Sequence, residues 1–143
     1  RKRNMLIFKR PSEMEFRQVK RLLAQKNMPS DRTEAPPEEF TILKKDDRLL
    51  ACGSLRLQES YGVIEHVAVK ADTKTSEWTK MIVKKLLETG PPTIWLTTDT
   101  PKFFEQFDFV TSKQIPKDLA RRVEAQYPDG GNRYKSMVYT RKK

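Results

Sequence analysis

The order of strand-type and helix-type segments predicts an α/β (α+β) fold, with a mixed central sheet of six or seven strands flanked by about four helices. Three observations lead to this expectation. Residues 40–44, 49–57 and 63–69 are strand-length apolar runs separated by the turn signals Asp46-Asp47 and Tyr61-Gly62, which describes a meander. Two longer segments repeat apolar residues at helical spacing, one before the meander and one after it. Beyond the second of these, short strand and helix signals alternate to the end of the chain.

The first strand is expected at residues 5–9. Ser12-Glu13-Met14-Glu15 has the form of a capping box, with a serine N-cap and a glutamate three residues on. Phe16, Val19, Leu22 and Leu23 then mark the buried face of a helix. The polar, proline-bearing stretch 29–37 reads as loop. In the third meander strand, period-two alternation places Val63, Glu65, Val67 and Val69 on one face and His66 on the other. A helix over 76–88 carries Trp78, Ile82 and Leu86 in one stripe and stops at Gly90-Pro91-Pro92. Residues 94–97 form a short buried-type strand, and Phe103, Phe104 and Phe107 lie on a short helix after Pro101. Phe109-Val110 opens another strand, and 116–126 is helical with Pro116 in its first turn. Asp129-Gly130-Gly131 is a turn, and 137–140 is the closing strand. No repeat or internal boundary is visible, so the expectation is one domain over 1–143 with short basic tails at both ends.

Composition narrows the function classes. The chain is 36% hydrophobic and 34% charged, with a net charge of +10 and a pI near 9.8. That balance favours polyanionic partners or a ribonucleoprotein setting, although basic residues spread along a chain also describe a solvated surface. A single cysteine, Cys52, and a single histidine, His66, argue against a disulfide framework and a zinc site, so no metal is expected. Cys52 reads as a small buried hydrophobe and His66 as a structural histidine. No apolar run is long enough to span a membrane. An intracellular setting is expected, the mitochondrial matrix or another organelle being one and the cytoplasm the other. The start at Arg1 agrees with a trimmed chain.

Several segments resemble the Gcn5-related N-acetyltransferase (GNAT) family. Val67-Ala68-Val69, followed by a helix ending Lys85-Leu86-Leu87, is similar to that family's fourth strand, pyrophosphate loop and third helix. Ile94-Trp95-Leu96-Thr97-Thr98 resembles its fifth strand, and Phe103-Phe104-Glu105-Gln106-Phe107-Asp108-Phe109 its aromatic segment. Leu96-Thr97-Thr98, Phe103-Phe104, Ile115-Pro116 and Leu119 are most similar to the amino-acid-acetylating, N-acetylglutamate synthase-like subgroup.

The resemblance implies a site. Family members hold the acyl-CoA pyrophosphate on a glycine-bearing loop at a helix N-terminus, where backbone N–H groups and the helix dipole attract anions. The corresponding residues here are Lys74, Thr75, Ser76, Glu77, Trp78 and Thr79. Lys74 keeps a positive charge, but Glu77 and Thr79 stand where the family has small residues. A carboxylate at Glu77 satisfies the same potential a phosphate would, and repels the phosphate. Lys80 and Lys84, one turn apart, are candidates for further phosphate contacts. The resemblance also implies that backbone N–H groups near Val67 and Val69 polarise the thioester and that Glu65 is the base or water-binder. Phe104 stands where many members have a tyrosine acid, and Asp108 where a glycine is usual; aspartate can adopt the left-handed backbone.

Two functions follow. The altered loop, Phe104 and the charge together lead to the expectation of a degenerate, non-catalytic GNAT-fold domain without cofactor. Such a domain would serve as a basic component of a larger assembly of protein subunits and/or RNA, an organellar ribosome for example. The alternative is an acetyl-CoA-dependent N-acetyltransferase acting on a small amine or amino acid.

Overall fold

The computed structural model describes residues 5–26, 35–128 and 133–142. The expected turn at Asp129-Gly130-Gly131, most of the 29–37 loop and the outermost basic residues Arg1, Lys2, Arg3 and Lys143 lie outside them. In chain order the elements are β1 (Leu6–Lys9), α1 (Glu13–Gln25), β2 (Phe40–Lys45), β3 (Arg48–Leu57), β4 (Gly62–Val69), α2 (Thr75–Thr89), β5 (Thr93–Thr98), α3 (Pro101–Glu105), β6 (Val110–Thr111), α4 (Lys117–Gln126) and β7 (Lys135–Thr140). A 3-10 turn, Pro37–Glu39, precedes β2. The strands form a seven-stranded mixed sheet in the order β1-β2-β3-β4-β5-β7-β6. The α/β class, the strand number and the four helices are those the sequence predicts.

By internal contacts the chain divides into two compact units, Arg1–Arg56 with Ile64–Thr89 and Leu57–Val63 with Gly90–Lys143. In the first unit, β1, β2 and β3 pair antiparallel, with Phe40 opposite Ser54 and Ile42 opposite Cys52. The helix α1 starts where its capping box sets it. Ser12 accepts from the N–H of Glu15, and Glu15 accepts from the N–H of Ser12. Its apolar stripe, Val19, Leu22 and Leu23, packs with Phe40, Ile42, Cys52 and Ala68 into one core. The other helix of this unit, α2, needs a close approach to β3. A Cβ on Gly53 would lie 2.8 Å from Leu86 Cδ1 and 3.5 Å from both Ile82 and Val67, so glycine is the residue that lets the helix settle there.

In the second unit, β4 and β5 run parallel through the pairs Gly62–Ile94 and Val63–Trp95. β7 pairs antiparallel with β5 and with β6. Val63, Trp95 and Leu119 form its core with Tyr61, Ile115, Val123 and Val138. The aromatics of α3 and the following turn stack edge-on, Phe103 with Phe104 at 5.1 Å and Phe104 with Phe109 at 6.0 Å. Asp108 adopts a left-handed φ of 72°, the conformation the sequence requires of a residue replacing glycine there.

Candidate functional site

The polar residues of the first unit gather on two features. One is the α1-facing side of β3 and β4; the other is the turn that carries β4 into α2.

On β3, Ser54 is fully buried. Its hydroxyl donates to the carbonyl of Glu65 at 2.8 Å and lies 3.0 Å from His66 Nδ1. A hydroxyl has one proton, so with that proton given to the carbonyl, Nδ1 must carry its own and donate to Ser54 Oγ. The site therefore selects the Nδ1-protonated form of His66, a state inferred from heavy-atom geometry. The His66 ring also lies 5.9 Å from that of Phe40, which in turn meets Phe16 of α1 at 5.4 Å.

His66 has a φ of 54°, a left-handed backbone in mid-strand. That conformation costs a non-glycine residue roughly 1–2 kcal/mol and breaks the simple alternation of a strand. The expectation that Glu65 and His66 point to opposite faces is corrected by this kink. Ser54 and Arg56 are two apart on β3 and so share a face. Ser54 meets His66, while Arg56 Nε lies 3.6 Å from Glu65 Oε1. Glu65 and His66 thus reach the same side. Val67 does not join Glu65 there, because it packs toward α2 beside Gly53.

The Arg56–Glu65 pair is largely withdrawn from water, the side chains being 19% and 11% exposed. Arg56 Nε is buried and has no hydrogen-bond partner, since 3.6 Å is a charge contact and too long for a hydrogen bond. Arg56 did not stand out in the sequence. Its signal was a charge inside the apolar run 49–57, opposite a glutamate in the next apolar run, as cross-strand pairs require. Below this cluster, Cys52 donates to the His66 carbonyl at 3.6 Å. Burial pushes its thiol up to about 12, so it is an inert core group, as expected.

In the turn after β4, Asp72 Oδ1 accepts from the N–H of Lys74 at 3.2 Å and from the Thr73 hydroxyl at 3.0 Å. Those backbone and side-chain hydrogen bonds hold its carboxyl below the usual range. Thr75 Oγ1 accepts from the Asp72 N–H at 3.0 Å and closes the turn. The first helical bond of α2 runs from the N–H of Trp78 to the carbonyl of Lys74. Among the described residues nothing accepts from the N–H groups of Ser76 and Glu77, so two donors at the helix N-terminus remain open. Lys74, Ser76 and Glu77 are exposed, Trp78 is buried, and Thr75 and Thr79 are half-buried. The Thr79 hydroxyl turns inward onto the Thr75 carbonyl at 2.8 Å. Glu77 is exposed and unpaired, so water and salt screen its charge. Lys80 and Lys84 are exposed as well. Val69 is buried at the end of β4.

The donors of Ser76 and Glu77 and the cation of Lys74 fit an anion of pyrophosphate type; Asp72 draws one N–H of the turn away from it. Among the described residues no group of side chains could hold a metal ion, and no helix is long and apolar enough to cross a membrane.

No protein-family sequence model matches the chain, and no curated protein sequence matches it. Solved structures do. N-acetylglutamate synthase from Neisseria gonorrhoeae, complexed with coenzyme A and N-acetyl-glutamate, superposes with a TM-score of 0.80 at 15% identity. The match covers 97% of this chain and 36% of that one, so the chain spans about a third of that enzyme's length. A Mycobacterium tuberculosis protein in complex with CoA gives 0.78 at 16% identity over 94% of this chain and 98% of its own. Diaminobutyrate acetyltransferase from Paenibacillus lautus, with L-2,4-diaminobutyric acid and coenzyme A, gives 0.66 at 12% identity over 96% and 95%.

Proposed function

We propose that this chain, which has the fold of the Gcn5-related N-acetyltransferases, is an acetyl-CoA-dependent N-acetyltransferase domain acting on a small amine or amino acid. The observation that carries this is the buried cluster of Ser54, Arg56, Glu65 and His66 on a kinked β4. A buried ion pair and a left-handed histidine both cost stability, and apolar residues of similar size would serve a purely structural sheet as well or better. Groups of this kind concentrate where chemistry is done. The CoA complexes of proteins with the same fold support the same reading.

Bound acetyl-CoA supplies the acetyl group as an activated thioester. Lys74 and the N–H groups of Ser76 and Glu77 would hold its pyrophosphate, with Thr75, Trp78 and Thr79 shaping that turn. Backbone N–H groups near Val67 and Val69 would orient and polarise the carbonyl. Glu65 is placed to take the proton of the acceptor ammonium, directly or through one water. Phe104 carries no proton, so no side chain at that position protonates the leaving sulfur. The test is acetyl-CoA-dependent thiol release over a panel of amines and amino acids. Release abolished by Glu65→Gln supports the reading, and no release with any acceptor counts against it.

A second reading is favoured by two specific observations. Asp72 already occupies the N–H of Lys74, and α1 presents Arg17, Lys20 and Arg21 to solvent without ion-pair partners. On this reading the domain is non-catalytic, binds no cofactor, and joins protein subunits and/or RNA of an organellar assembly such as a mitochondrial ribosome. Its mark would be nucleic-acid affinity that falls steeply with salt, together with no response to acetyl-CoA.

A further inference from the structure

We infer that Arg56 is the specificity-determining residue of the acceptor pocket, and that it selects amines bearing a carboxylate over amines without one. This rests on the transferase reading above and narrows it.

Arg56 is a largely buried guanidinium whose Nε–H meets no hydrogen-bond acceptor. Its neighbour Glu65 is 3.6 Å away, close enough to balance the charge but too far to take the proton. A guanidinium is a planar fork of five donors, and a carboxylate takes two of them side by side. The site thus holds a cation with unused directional capacity beside an anion placed as a base.

That arrangement complements a zwitterion. The ammonium group of an aminocarboxylate goes to Glu65, and its carboxylate goes to Arg56. Both buried charges gain a hydrogen-bonded partner, and the net charge of the cluster is unchanged. An amine without a carboxylate takes Glu65 from Arg56 and leaves the guanidinium buried and uncompensated. A doubly charged phosphate compensates Arg56 but adds a second negative charge beside Glu65. The pair therefore matches one acceptor class, and it does so through a residue on β3 rather than through the acyl-CoA turn.

The experiment is a binding titration, without turnover, of the full chain. L-amino acids are compared with their decarboxylated amines, L-lysine against cadaverine and L-phenylalanine against phenethylamine among them, followed by calorimetry or amide chemical shifts. At least one amino acid is expected to bind saturably, roughly 100-fold more tightly than its amine, the worth of a charge-assisted pair. Arg56→Gln should reduce that ratio to near one, and Arg56→Lys should keep part of it. Amines binding as well as amino acids to the unmodified protein, no saturable amino-acid binding at all, or an unchanged ratio in folded Arg56→Gln would each overturn the inference. Acetyl-CoA affinity, measured separately, judges the transferase reading, because Arg56 has no part in the α2 turn.

Discussion

Ser54 Oγ sits 3.0 Å from His66 Nδ1 while giving its only proton to the carbonyl of Glu65. One hydroxyl thus fixes the orientation of the histidine and ties down the backbone on either side of the β4 kink. Replacing Ser54 by alanine leaves a buried carbonyl and a buried ring nitrogen each short of a partner. A loss of about 1–3 kcal/mol of stability is expected, read from chemical denaturation. Nitrogen-15 spectra of the unmodified protein should show the Nδ1-protonated form, and Ser54→Ala should abolish that selection.

Glu15 ties three elements together. It lies 2.6 Å from Lys44 of β2, 2.8 Å from Lys9 of β1, and accepts the Ser12 N–H of the α1 cap. Burial raises its pKa, but the hydrogen bonds from Lys44, Lys9 and Ser12 outweigh burial and lower it from 4.5 to about 2. A depressed carboxylate contributes stability above its unfolded value and loses it as pH falls through the folded one. The contribution is therefore complete above about pH 5 and disappears toward pH 2. Glu15→Gln should lose stability at neutral pH and show a flatter acid-denaturation curve between those limits, checked by urea titrations at several pH values.

How much of this was legible in the sequence depends on how local each feature is. The capping box of α1 needs only Ser12 and Glu15, and the left-handed Asp108 needs only the expectation of a glycine at its place. Both were readable. The kink at His66 was not, because alternation assumes an extended backbone, and nothing in Gly62–Val69 announces a positive φ. Arg56 became part of the site only through its register against Glu65, a pairing between strands. Asp72 was passed over as loop, although an aspartate three residues before Thr75 is the ordinary signal of a hydrogen-bonded turn.

Asp108 offers a direct check on the backbone of the second unit. At a φ of 72°, Asp108→Gly should leave stability within about 1 kcal/mol of the unmodified protein. Asp108→Val should lose roughly 1–2 kcal/mol, since a β-branched side chain resists that conformation most. Thermal unfolding of the two variants side by side decides it.

The central claim is that this domain works on acetyl-CoA, and the α2 turn tests it most directly. Calorimetric titration of the unmodified protein with acetyl-CoA should give saturable, micromolar, one-to-one binding through Lys74 and the open N–H groups of Ser76 and Glu77. A Glu77→Gly/Thr79→Gly variant, freed of the carboxylate and the extra bulk, should bind more tightly. No heat from the unmodified protein at millimolar acetyl-CoA, with binding appearing only in the variant, would contradict the account and leave a fold whose acyl-CoA turn has closed on itself.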